Sequence, residues 1–184
     1  MRPAKVELEA ARDLLIPDVL PAEGATLRVL FTGINPGLYS AATGLHFARP
    51  GNRFWPALHR SGFTERQLSP SEQGLLPPLG LGISNVAPRA TARADELSDE
   101  ELREGGEHLV ELAETYRPAY VAIAGVTAYR TAFGRPKAQI GPQDEKIGPA
   151  GLWILPNPSG LNASWQLDRI AAEFARLRER ADRV

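Results

Sequence analysis

Two polar loops in the sequence carry side chains that could act on a bound ligand. The first, residues 33–55, begins Gly-Ile-Asn-Pro-Gly, and the second, residues 155–162, reads Leu-Pro-Asn-Pro-Ser-Gly-Leu-Asn. Asn, Pro and Gly in such loops can turn backbone amides toward a ligand. The same residue types also dominate ordinary turns, so either loop alone is weak support for a site. The presence of both, with Phe47 and an Asn-Arg-Phe-Trp segment in the first, favours a binding site.

Several kinds of chemistry are excluded by composition. The chain of 184 residues has no cysteine, which excludes disulfides, thiol nucleophiles, cysteine zinc sites and iron–sulfur clusters. Its three histidines, His46, His59 and His108, have no metal-binding spacing. We therefore expect a protein without a metal or cofactor.

The charge distribution neither requires nor excludes a nucleic-acid partner. The net charge is −1, whereas proteins that bind phosphates usually show a basic surface. The arginines are nevertheless clustered, with Arg49, Arg53, Arg60 and Arg66 in one segment that holds few acids. A local basic face on a neutral protein is compatible with this pattern.

Four short apolar runs predict the strands that must position the two loops. They cover residues 27–32, 81–86, 120–124 and 152–155, and runs of this length are typical of strands buried on both faces of a parallel sheet. Helical patterns lie between them, at 52–62, 98–117, 127–133 and 164–183. This alternation predicts an α/β fold, a three-layer α/β/α sandwich around a short, mainly parallel four-stranded sheet.

The remaining segments predict the organisation of the chain. Residues 134–150, rich in Gly and Pro, are expected to form an exposed loop. Residues 1–12 are expected to be an N-terminal extension, and 13–184 a single domain. With no long apolar run and no recognisable signal peptide, we expect a cytoplasmic protein without membrane contact that acts as a monomer.

The two loops also carry a family resemblance. The block from Gly33 to Trp55 resembles the first motif of the mismatch-specific uracil and thymine DNA glycosylases, and Leu155 to Leu161 resembles their second motif. The likeness extends from about residue 13, where Asp-Leu-Leu-Ile-Pro-Asp leads in, to the C-terminus. It implies a uracil-DNA glycosylase-like fold and cleavage of the bond between a flipped-out pyrimidine and its sugar.

The resemblance assigns roles to residues of the first loop. Asn35 would position the attacking water, and the backbone around Ile34 and Phe47 would bind the pyrimidine edge. The Phe47 ring would stack on the base, an interaction worth ~1–3 kcal/mol that does not select among bases; Phe47 could instead be a core aromatic. Ser40 would lie near the 5-substituent. The full predicted base pocket comprises Gly33, Ile34, Gly37, Ser40, His46, Phe47 and Asn157.

In the second loop, the resemblance makes Leu161 a wedge that fills the space left by the flipped nucleotide. Gly160 would let the backbone approach the unpaired partner base, and Ser159 and Asn162 would contact the strands. Leu161 could instead pack against the following helix. The chain departs from the family at Ala163, where relatives carry an Arg, so selectivity for the opposing base is expected to be weaker. His46 resembles the thymine-processing branch, or is a surface loop histidine.

Three further residues are candidates outside the motif roles. Asp95, beyond the second predicted strand, could assist Asn35 by activating water or stabilising the sugar cation; it could equally be a solvated acid at a helix start. Arg53 and Arg89 are candidate phosphate contacts, with solvated surface arginines as the alternative.

The resemblance implies a monofunctional hydrolase that releases a free base, best uracil opposite guanine, from double-stranded DNA with a mismatched or damaged pyrimidine and so starts base-excision repair. No lysine lies beside the motifs to form a Schiff base. Thymine opposite guanine and modified pyrimidines are further candidate substrates. Three alternatives remain: a DNA-lesion binding module without catalysis, a hydrolase of free nucleotides or nucleosides, and an α/β sandwich whose loops are ordinary turns.

Overall fold

A computed structural model describes residues 2–184 and shows a five-stranded sheet. The strands, in the order β2-β1-β3-β5-β4 across the sheet, are β1 (Val29–Gly33), β2 (Leu81–Asn85), β3 (Tyr120–Ala124), β4 (Gly141–Ile147) and β5 (Ala150–Leu155). All neighbouring pairs are parallel except β4 with β5. The four predicted strands are confirmed, and they form the parallel part of the sheet.

The prediction of an exposed loop at 134–150 is wrong for its second half, which forms the antiparallel edge strand β4. Only the two ends of this strand, Gly141 and Ile147, are buried, whereas its centre is Pro-Gln-Asp-Glu-Lys. The sequence gives no sign of this strand, because an edge strand needs no apolar run. Polar residues at the edge of a sheet also oppose pairing with other chains. The sheet therefore has five strands instead of four.

Residues 2–184 contain six α-helices, of which the last four pack on the sheet: α1 (Lys5–Ala10), α2 (Leu38–Thr43), α3 (Phe54–Arg60), α4 (Asp99–Tyr116), α5 (Val126–Phe133) and α6 (Leu167–Ala181). One apolar cluster joins the sheet to α3 and α6, and a second joins its other face to α4 and α5. The three-layer α/β/α sandwich is thus confirmed. Within residues 2–184, no helix combines the length and apolar character needed to cross a membrane.

The helix boundaries follow from their end residues. The Ser98 side chain accepts a hydrogen bond from the backbone N–H of Glu101 (3.1 Å), which caps the start of α4. The helix ends at Arg117, which has a left-handed backbone (φ 50°) directly before Pro118.

In α3 and α6, Phe54 and Phe174 pack on Phe31 of the central strand.

The parallel strands end at one edge of the sheet, at Gly33, Asn85, Ala124 and Leu155. The loops that follow β1, β2 and β5 therefore meet there, as expected for open parallel sheets. The N-terminal segment also reaches this edge, because Ala11 packs with Ala41 of α2 and with Ala90.

Candidate active site

A cleft of about 520 Å³ opens at this edge of the sheet. Its walls come from the loop after β1, the end of β2, residues 91–94 and the loop after β5, and Leu8 and Ile16 of the N-terminal segment add an apolar side. Every residue of the predicted base pocket contributes to its lining: Gly33, Ile34, Gly37, Ser40, His46, Phe47 and Asn157.

Asn35 lies in the cleft with its amide held in one orientation. Its Nδ2 group donates to the backbone carbonyl of Arg89 (2.9 Å) and to the hydroxyl of Thr91 (2.8 Å). The Thr91 hydroxyl itself donates to the Arg93 carbonyl (2.6 Å), so it must accept from Asn35. Both amide hydrogens are therefore used, and the Asn35 Oδ1 atom is left as an acceptor for a ligand or a water in the cleft.

Phe47 combines a packed ring with an unusual backbone. The ring stacks on Phe54 with centroids 4.1 Å apart, and it also lines the cleft. Its φ of 51° is rare for a bulky side chain, and such strain costs of order 1–3 kcal/mol and is concentrated at functional sites. The ring is half-buried, so it is neither a core aromatic alone nor a free surface group.

The end of β2 contributes Asn85, which sequence reasoning did not select. A Cβ at Gly33 would lie 2.7 Å from the Asn85 Oδ1 atom, so the glycine lets this amide enter the cleft. The Asn85 Nδ2 atom lies 3.5 Å from His46 Nδ1. Thr91 was missed as well. A polar residue at the end of a second parallel strand is the signal that could have pointed to Asn85.

His46 is buried beneath the cleft instead of on the surface. Only 2% of the residue is exposed, and its Nε2 atom lies 2.8 Å from the carbonyl oxygen of Pro17. Burial lowers the pKa of His46, against smaller opposing effects of this carbonyl and of Asp18. Burial likewise raises the pKa of Asp18, although the Ser84 hydroxyl donates to its carboxylate (2.9 Å). His46 is thus neutral near pH 7.

The other pocket residues have simpler surroundings. The buried Ser40 Oγ atom accepts a hydrogen bond from the Ala48 N–H (3.2 Å), which leaves its hydroxyl hydrogen available to a ligand. Ile34 packs against Gly125, where a Cβ would lie 2.8 Å from the Ile34 side chain. Gly37 precedes α2 and has open space where its Cβ would be.

The loop at 156–166 presents Leu161 to solvent with 74% of the residue exposed. Leu161 is therefore not packed against the following helix. The loop is held by its own polar side chains: the Asn157 Oδ1 atom accepts from the Ser159 N–H (3.0 Å), and the Ser159 Oγ atom accepts from the Leu161 N–H (3.2 Å). Asn162 donates to the Asn157 carbonyl (2.9 Å). Asn157 and Leu161 both line the cleft.

Three residues have partners or positions that do not favour their expected roles. The Arg53 guanidinium donates to carbonyls of the loop 156–166, which does not favour the expected phosphate contact. Arg89 forms ion pairs with Asp13 (2.9 Å) and Glu101 (3.0 Å), which likewise does not favour the expected phosphate contact. Asp95 is exposed, pairs with Arg93 (3.0 Å) and is absent from the cleft lining, so it is not placed to assist Asn35.

Gly160 is also required by the fold itself. A Cβ at this position would lie 2.8 Å from the carbonyl oxygen of Gly51. The absence of a side chain is therefore required by contact between the two loops, whatever it does toward a partner base.

Comparisons with known proteins identify the family. The model of the uracil DNA glycosylase superfamily matches residues 21–180. The chain belongs to the uracil DNA glycosylase superfamily. A solved structure with a similar fold is the solution NMR structure of a putative uracil DNA glycosylase from Methanosarcina acetivorans. The two share 18% sequence identity at a TM-score of 0.61, over 90% of this chain and 98% of that one.

Membership of the uracil DNA glycosylase superfamily supports a glycosylase-type hydrolysis on DNA, for which the cleft is the candidate active site. Such an enzyme adds water across the bond between the base and its deoxyribose, which yields a free base and an abasic sugar. Among residues 2–184, no three His, Asp or Glu side chains are grouped so that they could hold a metal ion. The groups that line the cleft include the amides of Asn35 and Asn85, the hydroxyl of Ser40 and the ring of Phe47.

Proposed function

We propose that this protein is a monofunctional, mismatch-specific DNA glycosylase that hydrolyses the N-glycosidic bond of a flipped-out uracil, best opposite guanine, and acts as a monomer on duplex DNA. The observation that carries the proposal is that one cleft holds the fixed amide of Asn35, the ring of Phe47 and the exposed side chain of Leu161. This combination fits a water-positioning group, a stacking surface and an apolar wedge.

The role of Asn35 follows from its hydrogen bonds. With both amide hydrogens donated to Arg89 and Thr91, its Oδ1 atom can accept a hydrogen bond from water and orient it toward the sugar. An amide is not an effective base, so we expect slower chemistry than a carboxylate at this position would give. Most of the catalysis would then come from stabilising the departing base.

The substrate range follows from the pocket and from the loop 156–166. Ser40 and Asn85 provide polar groups for a pyrimidine edge, and the open volume leaves room for a 5-substituent. Thymine opposite guanine and modified pyrimidines are therefore proposed as additional substrates. Because position 163 is an exposed Ala, we expect the opposing base to be selected less strictly.

The decisive experiment is single-turnover cleavage of labelled duplexes that hold one G·U, A·U or G·T pair. Wild-type protein is expected to release free uracil from G·U, and Asn35→Ala is expected to lower that rate about 100-fold or more. Asn52→Ala is the matched control, because Asn52 also lines the cleft while its Oδ1 atom caps the Phe54 N–H (2.9 Å). Equal rates for wild type and Asn35→Ala would contradict the assignment.

A DNA-lesion binding module without catalysis is the second candidate. It is favoured by one observation: the cleft lining contains no Asp or Glu among the described residues. Tight binding of a G·U duplex without release of base from any duplex would support this alternative. Demonstrated release of free base would eliminate it.

A further inference from the structure

The side chain of Arg53 lies against four backbone carbonyls of the loop 156–166. Its Nη2 group donates to Asn162 (3.0 Å) and Ser159, its Nη1 group to Trp165, and its Nε atom to Pro158 (3.4 Å). A guanidinium has five N–H donors in a fixed planar arrangement and no acceptor. Most of its donors are therefore committed to a single loop.

The contact continues along the backbone. The N–H of Arg53 donates to the Pro158 carbonyl (2.9 Å), and Gly160 approaches the Gly51 carbonyl too closely for a side chain. The segment that contains Phe47 and the segment that contains Leu161 are thus joined at the base of both loops. A movement of one loop must be accommodated by the other.

The tip of the loop 156–166 has few contacts with the rest of the protein other than those to Arg53. Residues 160, 161, 163 and 164 are exposed, and the apolar side chain at the tip, Leu161, packs on no core cluster. The ends of the loop are anchored by the buried Pro156 and Pro158 and by Trp165, which packs against the apolar core. Between these anchors, the tip is held by its local side-chain turns and by the bonds to Arg53. A wedge must be stiff, since a loop that yields under load cannot keep a base pair open.

We propose that Arg53 is a positioning residue that holds the loop 156–166 in the conformation that presents Leu161 to DNA. This inference rests on the proposed function, since it gives Leu161 the role of the wedge. Arg53 acts through Leu161 and not by contact with a phosphate or with the base.

A double-mutant cycle between Arg53 and Leu161 tests this coupling. The single-turnover rate on a G·U duplex is measured for wild type, Arg53→Met, Leu161→Ala and the double variant. Arg53→Met is expected to lower the rate about tenfold or more, and to have little further effect once Leu161 is Ala. Arg60→Met is the control, because Arg60 lies at the end of α3, the helix that Arg53 precedes, and its ion-pair partner within residues 2–184 is the exposed Asp168 (2.6 Å).

Two additional measurements keep the outcome clear. Arg53→Lys keeps the charge but cannot span four carbonyls, so it should resemble Arg53→Met; rescue by Lys would indicate a charge contact with DNA and overturn the proposal. It also serves as the second variant if Arg53→Met unfolds. Fluorescence of 2-aminopurine placed beside the target reports duplex opening, which Arg53→Met should reduce.

The same cycle can be measured without cleavage, as the Kd for a duplex with a tetrahydrofuran abasic site. If Arg53→Met weakens binding of this duplex only while Leu161 is present, and no base is released, the proposed function fails while the coupling stands. The coupling would be overturned if Arg53→Met reduced the rate or the affinity equally with and without Leu161. It would also be overturned if Leu161→Ala alone had no effect on either quantity.

Discussion

The polar contacts around His46 illustrate how single residues set the chemistry of the cleft. Its Nε2 atom faces the Pro17 carbonyl, which can only accept, so the hydrogen of the neutral ring must lie on Nε2. The Nδ1 atom is then an acceptor, and Asn85 directs its Nδ2 group toward it. The Oδ1 atom of Asn85 is consequently the group displayed beside Gly33. The tautomer of a buried histidine thus determines what the pocket offers a base.

Stability is expected to decrease below neutral pH because of His46. Its folded-state pKa is lowered from 6.5, so the unfolded chain binds the proton first and the stabilisation present above about pH 6.5 is lost as the pH falls. The slope from one such group is at most about 1.4 kcal/mol per pH unit. Urea unfolding at pH 7.5 and 5.5 should show this loss in wild type and a smaller one in His46→Asn.

Asp18 provides the control of opposite sign. Its pKa is raised from 3.8, so the folded protein takes up this proton first and gains stability as the pH falls toward 3.8. Asp18→Asn should therefore make the acid loss steeper. An identical pH dependence in wild type and His46→Asn would contradict the assignment to His46.

Among the helices and strands, the sequence predicts those that can be recognised from a short stretch of neighbouring residues. The strands β1, β2, β3 and β5 are continuous apolar runs, and α4 has a capping serine and a helical period, so both kinds of element are visible without the fold. The strand β4 is polar because it lies at an edge, and pairing with β5 alone makes it a strand. Likewise, the burial of His46 and the partners of Arg53 depend on contacts between distant segments, which no local pattern contains.

The packing of α4 against the loop after β2 leads to a prediction about Gly105. A Cβ there would lie 1.9 Å from the Val86 carbonyl oxygen. Ala at an exposed helix position gains ~1 kcal/mol over Gly, but overpacking costs ~1–3 kcal/mol and a clash with backbone lies at the severe end. We expect Gly105→Ala to lower the free energy of unfolding by about 2 kcal/mol, as measured by urea denaturation.

Gly74→Ala is the matched control, because Gly74 has a negative φ and open space at its Cβ. Its effect should stay within about 0.5 kcal/mol. Since the segment after Val86 leads to Arg89 and Thr91, which hold Asn35, Gly105→Ala should also slow base release. Full stability in this variant would show that α4 can move away from the loop.

For the whole molecule, the charge pattern limits how DNA can be bound. The net charge is −1, and many arginines form ion pairs within the described structure. Arg49 differs, because it is exposed, lines the cleft and has no ion-pair partner among residues 2–184. Binding should therefore depend on few phosphate contacts and be less sensitive to salt than that of a strongly basic protein.

The salt dependence of binding tests this view. Each phosphate contact contributes ~0.9 to the slope of log K against log salt, so with two to four contacts we expect a slope of roughly −2 to −4. Arg49→Gln should make the slope shallower by about one. Arg103→Gln, at an exposed position on α4 that pairs with Glu100, should leave it unchanged. Fluorescence anisotropy with a G·U duplex at roughly 50–200 mM NaCl would measure both.

The close approach of Gly160 to Gly51 has a consequence for protein engineering. A loop from a relative that replaces residues 156–166 must have glycine at position 160. Any other residue there would bring its Cβ atom too close to the carbonyl oxygen of Gly51. It must also keep carbonyls where the recipient arginine can reach them. Residues 51–53 and 156–166 should therefore be exchanged together. A chimaera that exchanges only one of the two segments would lose the contacts between them.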